Sequence, residues 1–257
     1  MPFEEISYWV AGINHFSWFL DIKWHGESLY PRLREVFKDP EVYLRPDSPL
    51  GHVDLIEVEM MKTFGYFTSG GGHLGVFLPY FRRTPELLEK YKLGSNFESY
   101  DRAPIRTMEI DEKVRQKLKS GYKFPISREH TYTIIAVGII NSIETGTPAQ
   151  IYSNVKNNGL ITNLLKGCVV EVPCLVDKEG IHPCYIGDLP TQLAALNSSN
   201  VFVQEMAVRG IAERDKNKIL QSILLDPLNS AMLSIDEIKQ MVNEMFEVEK
   251  EFLQGFK

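Results

Sequence analysis

A chain of 257 residues with 44% hydrophobic and 24% charged residues is long enough to bury a sizeable core and has the composition of a globular domain rather than a disordered one. Its formal net charge of -6 argues against a nucleic-acid surface, which needs basic patches to displace counterions. No apolar run approaches membrane-spanning length, and Met1-Pro2-Phe3-Glu4-Glu5 lacks the basic start and apolar centre of a signal peptide, so a cytoplasmic protein is expected.

In chain order, Val10 to Ile22 is rich in β-branched and aromatic residues and predicts a strand. Asp21 to Glu27 reads as an alternating edge with a turn, and a hairpin is expected. Within the strand lies Asn14-His15, flanked by apolar residues on both sides, and a buried imidazole needs a hydrogen-bond or metal partner. Leu29 to Phe37 and Asp54 to Phe64 carry helical spacing, separated by the break Pro46-Asp47-Ser48-Pro49. Gly70-Gly71-Gly72 then lets the backbone approach something closely or turn freely. A phosphate cradle would need a Gly-x-Gly-x-x-Gly pattern that is absent, and a plain turn competes with it. Thr84-Pro85-Glu86 reads as an N-cap, a first-turn proline and an acidic first turn, with a helix to about Leu93.

Residues 94 to 125 are charge-rich, and Asp111 to Lys119 is their best helical piece. Thr131 to Ile143 is apolar enough to predict a buried helix that ends near Gly146. Gln150 to Val155 and Val169 to Val176 predict strands, and Asp177 to Gly180 a hairpin turn into Ile181 to Ile186. Thr191 to Leu224 and Ser234 to Phe252 have amphipathic helical spacing. Cys168, Cys174 and Cys184 are odd in number and lack zinc-ligand spacing, which predicts free thiols in a reducing compartment. The sum is an α+β chain with helices in the majority.

Several motifs carry a resemblance. Ala11-Gly12-Ile13-Asn14-His15 running to Trp18-Phe19-Leu20, Phe64 to Thr68, Leu78-Pro79-Tyr80-Phe81, Asn154 to Ile161, Val169 to Pro173 and Gly187 to Leu196 together resemble glycoside hydrolase family 4. The α-galactosidase and α-galacturonidase branch is the most similar. These enzymes lie outside the usual two-carboxylate scheme of glycosidases. The resemblance implies a domain similar to the C-terminal domain of lactate/malate dehydrogenases, with helices around a twisted antiparallel sheet. It implies NAD and Mn2+ as cofactors, and an α-galactoside or α-galacturonide as the sugar. Members are about twice as long and begin with a Rossmann half that ends in a metal-binding Cys motif. Residues 1 to 257 are therefore expected to form a single substrate and oligomerisation domain that is inactive alone. Its expected partners are a separate NAD-binding half and further copies in a homodimer or homotetramer.

The family scheme oxidises C3 of the sugar, which acidifies the C2 proton for removal by a base, usually Tyr. Carried over, His15 is the expected metal ligand, and Asn14 faces sugar hydroxyls or the metal shell. The base position departs from the pattern: Val76-Phe77 stands where related α-galactosidases carry Glu-Tyr, and phenylalanine accepts no proton. Tyr66, His73 and Tyr80 are the substitutes, although His73 is read equally as a turn cap. Asn154 and Asn158 are sugar contacts or turn formers, and Arg128 a sugar contact or half of a helix-start ion pair with Glu129. Glu57 stands where relatives often place Arg, which disfavours a uronate or phosphate. Three readings stay open: an active half completed by another polypeptide, a catalytically silent fragment, and a sugar-binding or regulatory module.

Overall fold

The computed structural model describes residues 2–44, 54–93, 97–122 and 131–257. An antiparallel sheet forms the centre, in the order β3 (Glu27–Ser28), β2 (Phe16–Trp24), β1 (Ile6–Ile13), β5 (Val169–Asp177), β4 (Ala149–Lys156), with β6 (Gly180–Pro183) on the remaining stretch of β5. Helices α1 (Tyr30–Val36), α2 (Pro40–Tyr43), α3 (Leu55–Phe64), α4 (Leu74–Phe77) and α5 (Pro85–Lys90) follow the first hairpin. Then come α6 (Phe97–Lys119), α7 (Thr131–Thr145), α8 (Thr191–Glu213), α9 (Lys216–Leu225), α10 (Pro227–Met232) and α11 (Ile235–Val248). Helices around an antiparallel sheet is the architecture expected above.

The strand expected over Val10 to Ile22 is instead two strands. They pair Ile13 with Phe16 across a two-residue turn, and the turn is Asn14-His15. His15 has a left-handed backbone (φ 56), a conformation that few non-glycine residues adopt. Both turn residues are exposed, so the imidazole is not buried as its apolar flanks suggest. The flanks are apolar because Phe16 and Trp18 turn inward from the tip, both at 0% exposure, onto α8. There Trp18 Nε1 donates to Asn197 Oδ1 (3.0 Å) and Asn197 Nδ2 donates to Phe16 O (2.7 Å). One buried amide thus satisfies both the indole and an inner carbonyl of the hairpin.

Helix boundaries mostly follow their caps. Asp54 accepts from Ile56 N–H, Thr84 from Leu87 N–H, and Ser234 forms a reciprocal capping box with Glu237. The tail helix is split at Arg214, whose left-handed backbone (φ 53) ends α8 before Asp215 caps α9. Gly210 lets these two helices pack closely: a Cβ there would lie 3.0 Å from the Ile219 backbone N and 2.6 Å from its Cδ1. Helix α6 begins well before Asp111. Helix α7 is present but largely exposed: Val137 and Ile140 are 57% and 61% accessible. Periodicity reports how apolar a helix is and not whether anything covers it. Cys168 and Cys174 are buried and Cys184 half-buried, all free thiols. Among the described residues no helix is long and apolar enough to cross a membrane. The Pro46 to Pro49 break lies outside the described residues.

Candidate functional site

The site is assembled at the tip of the β1–β2 hairpin. The segment after α3 runs beside β2 as a short extra strand: Phe19 N–H donates to Phe67 O (2.9 Å) and Ser69 N–H to Ser17 O (3.0 Å). The chain then folds over the hairpin tip at Gly70. A Cβ on Gly70 would stand 2.2 Å from His15 O, so glycine is needed here for close approach, and its own backbone (φ -81, ψ -20) is ordinary. From there a single helical turn, Gly71–His73, feeds α4 and carries the His73 ring to the His15 ring, with centroids 4.3 Å apart and planes at 35°. His73 Nδ1 also lies 3.3 Å from Gly70 O, so this side chain both caps the turn and meets His15. Phe77, one helical turn on, stacks on Phe16 (5.7 Å, 3°), which holds α4 against the hairpin.

Two carboxyl groups back the glycine run. Glu57 Oε1 accepts from Gly71 N–H (2.9 Å), and Asp54 Oδ2 would be 3.5 Å from a Cβ on Gly71. Burial first, and the Asp54 carboxylate second, push Glu57 up to about 7 against the opposing pull of the Gly71 N–H. This has a sign that can be tested. A carboxyl raised from its ordinary 4.5 holds its proton more tightly when folded. Its stabilising contribution is complete below pH 4.5 and is lost as pH rises through about 7. With solvent screening discounted, the loss should be about 1–2 kcal/mol. Glu57→Gln should remove it, seen as a smaller drop in the urea midpoint between pH 5 and pH 8. An unchanged drop would show that Glu57 titrates normally.

A polar row crosses the sheet beside the tip. Ser17 (β2), Gly12 (β1), Glu171 (β5) and Asn154 (β4) are successive cross-strand partners, so their side chains share one face. Because Gly12 has no side chain, Ser17 Oγ reaches over it and donates to Glu171 Oε2 (2.8 Å). A Cβ on Gly12 would meet Ser17 Cα at 2.6 Å. Ser69 Oγ lies 2.6 Å from Ser17 Oγ and extends the row to the glycine turn.

Of the residues singled out from the sequence, His15, Asn14, His73 and Phe77 gather at the tip, and Asn154 lies on the polar row. Tyr66 sits edge-on to Tyr30 (5.8 Å) in a smaller apolar cluster with Val58 and Met61. Tyr80 lines a separate cavity with Glu59, Thr63, Phe64 and Tyr91. Asn158 is exposed in the turn after β4, and Arg128 lies outside the described residues. The neighbour of these asparagines, Asn157, is the structural one: fully buried, it accepts from Ile161 N–H and donates to Ile161 O and Leu165 O. Ser17, Ser69, Glu171 and the Asp54–Glu57 pair were not foreseen. A lone Glu in Val169-Val170-Glu171-Val172 is the one local signal that pointed to the row.

The fit to a metal ion is incomplete. Among the described residues no group of three or more His, Cys, Asp or Glu side chains is placed to hold one. His15 and His73 offer two imidazoles, and affinity depends on ligand count.

Comparison with known proteins supplies the family. Residues 10–229 match the family model described as the family 4 glycosyl hydrolase C-terminal domain. The chain is similar to an α-galactosidase of Bacillus subtilis (strain 168), 34% identical over all of this chain and 57% of that protein. It is also similar to one of Rhizobium meliloti (strain 1021), 30% identical over 97% of this chain and 51% of that protein. It spans about half the length of these curated relatives. Among solved structures, a 6-phospho-α-glucosidase from gut microorganisms in complex with NAD and Mn2+ superposes with a TM-score of 0.73. That match is 18% identical and covers 97% of this chain and 56% of that one. The 6-phospho-β-glucosidase of Thermotoga maritima with NAD and glucose-6-phosphate gives 0.66 at 18% identity, again over 97% and 56%. At such identities the structures speak for the fold, and the family model and the sequence relatives for the lineage: this chain belongs to the family 4 glycosyl hydrolases, of which it carries the C-terminal domain.

Proposed function

We propose that the chain is the sugar-binding half of an α-galactosidase-like glycosidase, which hydrolyses O-glycosyl bonds with NAD and Mn2+ once an NAD-binding half completes the site. The observation that supports this most is the meeting of His15 and His73 at an exposed hairpin tip beside a row of polar side chains. Both rings are open to solvent and so are accessible to a ligand. In this reading His15 is a metal ligand whose remaining partners come from the other half. His73 is the group able to take a proton where Phe77 cannot, and Asn14 and Asn154 face sugar hydroxyls. The two relatives named above, at 34% and 30% identity, are α-galactosidases, which supports an α-galactoside over an α-galacturonide as substrate. Residues 1 to 257 then form one substrate and oligomerisation domain, inactive alone. The uncovered apolar face of α7, with Ile135, Val137, Ile140 and Ile143, supports a homodimer or homotetramer. Three free thiols support a reducing, cytoplasmic setting.

A second reading, a silent fragment that keeps only the fold and the oligomer surface, is favoured by the replacement of the usual tyrosine with Phe77 and its use in stacking on Phe16. The two separate in one assay. The chain is mixed with the NAD-binding half of a related α-galactosidase and supplied with NAD, Mn2+, a reductant and an aryl α-galactoside or α-galacturonide. Hydrolysis should appear only in the mixture and fall to background with His15→Ala. No hydrolysis of either sugar would leave the silent fragment in place.

A further inference from the structure

The three-membered chain Ser69–Ser17–Glu171 has a polarity that its hydrogen-bond count dictates. A serine hydroxyl carries one proton. Ser17 Oγ gives its proton to Glu171 Oε2 at 2.8 Å. In the 2.6 Å contact between the two hydroxyls, Ser69 must therefore be the donor and Ser17 the acceptor. The other acceptor within reach of Ser69 Oγ is the Ser17 carbonyl, 3.4 Å away and equally inward. Ser17 is fully buried and Ser69 exposed, so the proton of Ser69 points into the protein while its lone pairs face outward. Ser69 immediately precedes Gly70, which is pressed against the His15 carbonyl at the hairpin tip.

We propose that Ser69 is a dedicated hydrogen-bond acceptor for a hydroxyl group of the bound sugar, held in that sense by Glu171 acting through Ser17. The inference rests on the sugar-binding reading above and adds a selection rule to it. The ligand is a polyhydroxylated neutral sugar that offers a proton at this position. A group with lone pairs and no proton there, such as an ether, a fluorine or an ionised phosphate, meets lone pair with lone pair and is refused. Ser17 and Glu171 are positioning residues, and Gly12 is the gap that lets them touch.

The test is binding of galactose and of its singly deoxyfluorinated analogues to the full chain, followed by NMR titration. Fluorine accepts weakly and cannot donate. One analogue should bind about tenfold more weakly than galactose, the size of one hydrogen bond. That penalty should vanish in Ser69→Ala, and it should shrink in Ser17→Ala and in Glu171→Ala, where the Ser69 proton is free to turn outward. Circular dichroism checks that each variant folds, and three variants at separate positions make a common folding failure visible. The proposal is overturned if no analogue shows a penalty that depends on Ser69, if the penalty survives both Ser17→Ala and Glu171→Ala, or if the chain binds no galactose at about 100 mM, far above the millimolar range of weak sites. Binding with the stated pattern but no hydrolysis in the mixing assay would remove the enzymatic reading alone. Hydrolysis with no Ser69-dependent fluorine penalty would remove this inference alone.

Discussion

Trp18→Ala should lower the stability of the chain by about 4–8 kcal/mol at 25 °C. The indole has 0% exposure and belongs to the main core with Phe16, Leu74 and Leu193. Truncating a fully buried tryptophan to alanine costs about 3–5 kcal/mol in lost burial and residual cavity. The loss extends to Asn197, whose Oδ1 takes the indole N–H and would be left unpaired in an apolar interior, a further penalty of about 1–3 kcal/mol. Against a typical total of about 5–15 kcal/mol, this removes a large share of the stability and should shift the urea midpoint far downward. Trp18→Phe separates the two contributions, because it retains much of the apolar volume and deletes the hydrogen bond. Its urea midpoint should fall between those of the parent and the alanine variant. A Trp18→Ala chain with a parent-like cooperative transition would show that the hairpin is not anchored through this residue.

The second large effect is expected at Gly70. Alanine there places a methyl 2.2 Å from His15 O and 2.9 Å from Leu74 Cγ. The first obstacle is backbone and cannot swing aside, so the hairpin tip and the glycine turn must part. Overpacking of this kind costs about 1–3 kcal/mol in stability. The functional loss should be greater, since Gly70 sits directly between His15 and the turn that carries His73. A displacement of about 1 Å in a site costs on the order of a hundredfold in rate. In the mixing assay Gly70→Ala should therefore fall about a hundredfold while remaining folded. Gly138→Ala in the interior of α7, where a Cβ meets nothing within 4 Å, is the control: it should leave the rate unchanged and raise stability by about 1 kcal/mol through helix propensity. Full activity in Gly70→Ala would mean that the spacing of the two imidazoles is irrelevant to the reaction.

Local chemistry was legible where it is decided locally. Thr84-Pro85 starts α5 because a hydroxyl oxygen can accept an N–H three residues on and proline suits the first helical turn. Val169 to Val176 extends as β5 for the steric reason that β-branched side chains fit a pleated surface. The motifs from Gly12 to Leu196 pointed to the right family, because several short pieces in one order and at fitting spacing are together far more specific than any one of them. The Asn14-His15 turn was missed for a definite reason. Its flanks are apolar on both sides, and a continuous apolar run does not mark the point where one strand becomes two.

The fold class, most helix starts and the family were therefore readable from the residues alone. Only the tertiary structure decided that His15 stands exposed on a turn, that His73 meets it, that α7 lies uncovered, and that Ser69, Ser17 and Glu171 form one directed chain. Each of these depends on contacts between residues from tens to more than a hundred positions apart, and on a strand register in which a one-residue slip would turn Glu171 to the other face of the sheet. Propensity and periodicity act within a few residues, whereas the site is built from close approaches that glycines at positions 12 and 70 permit across strands.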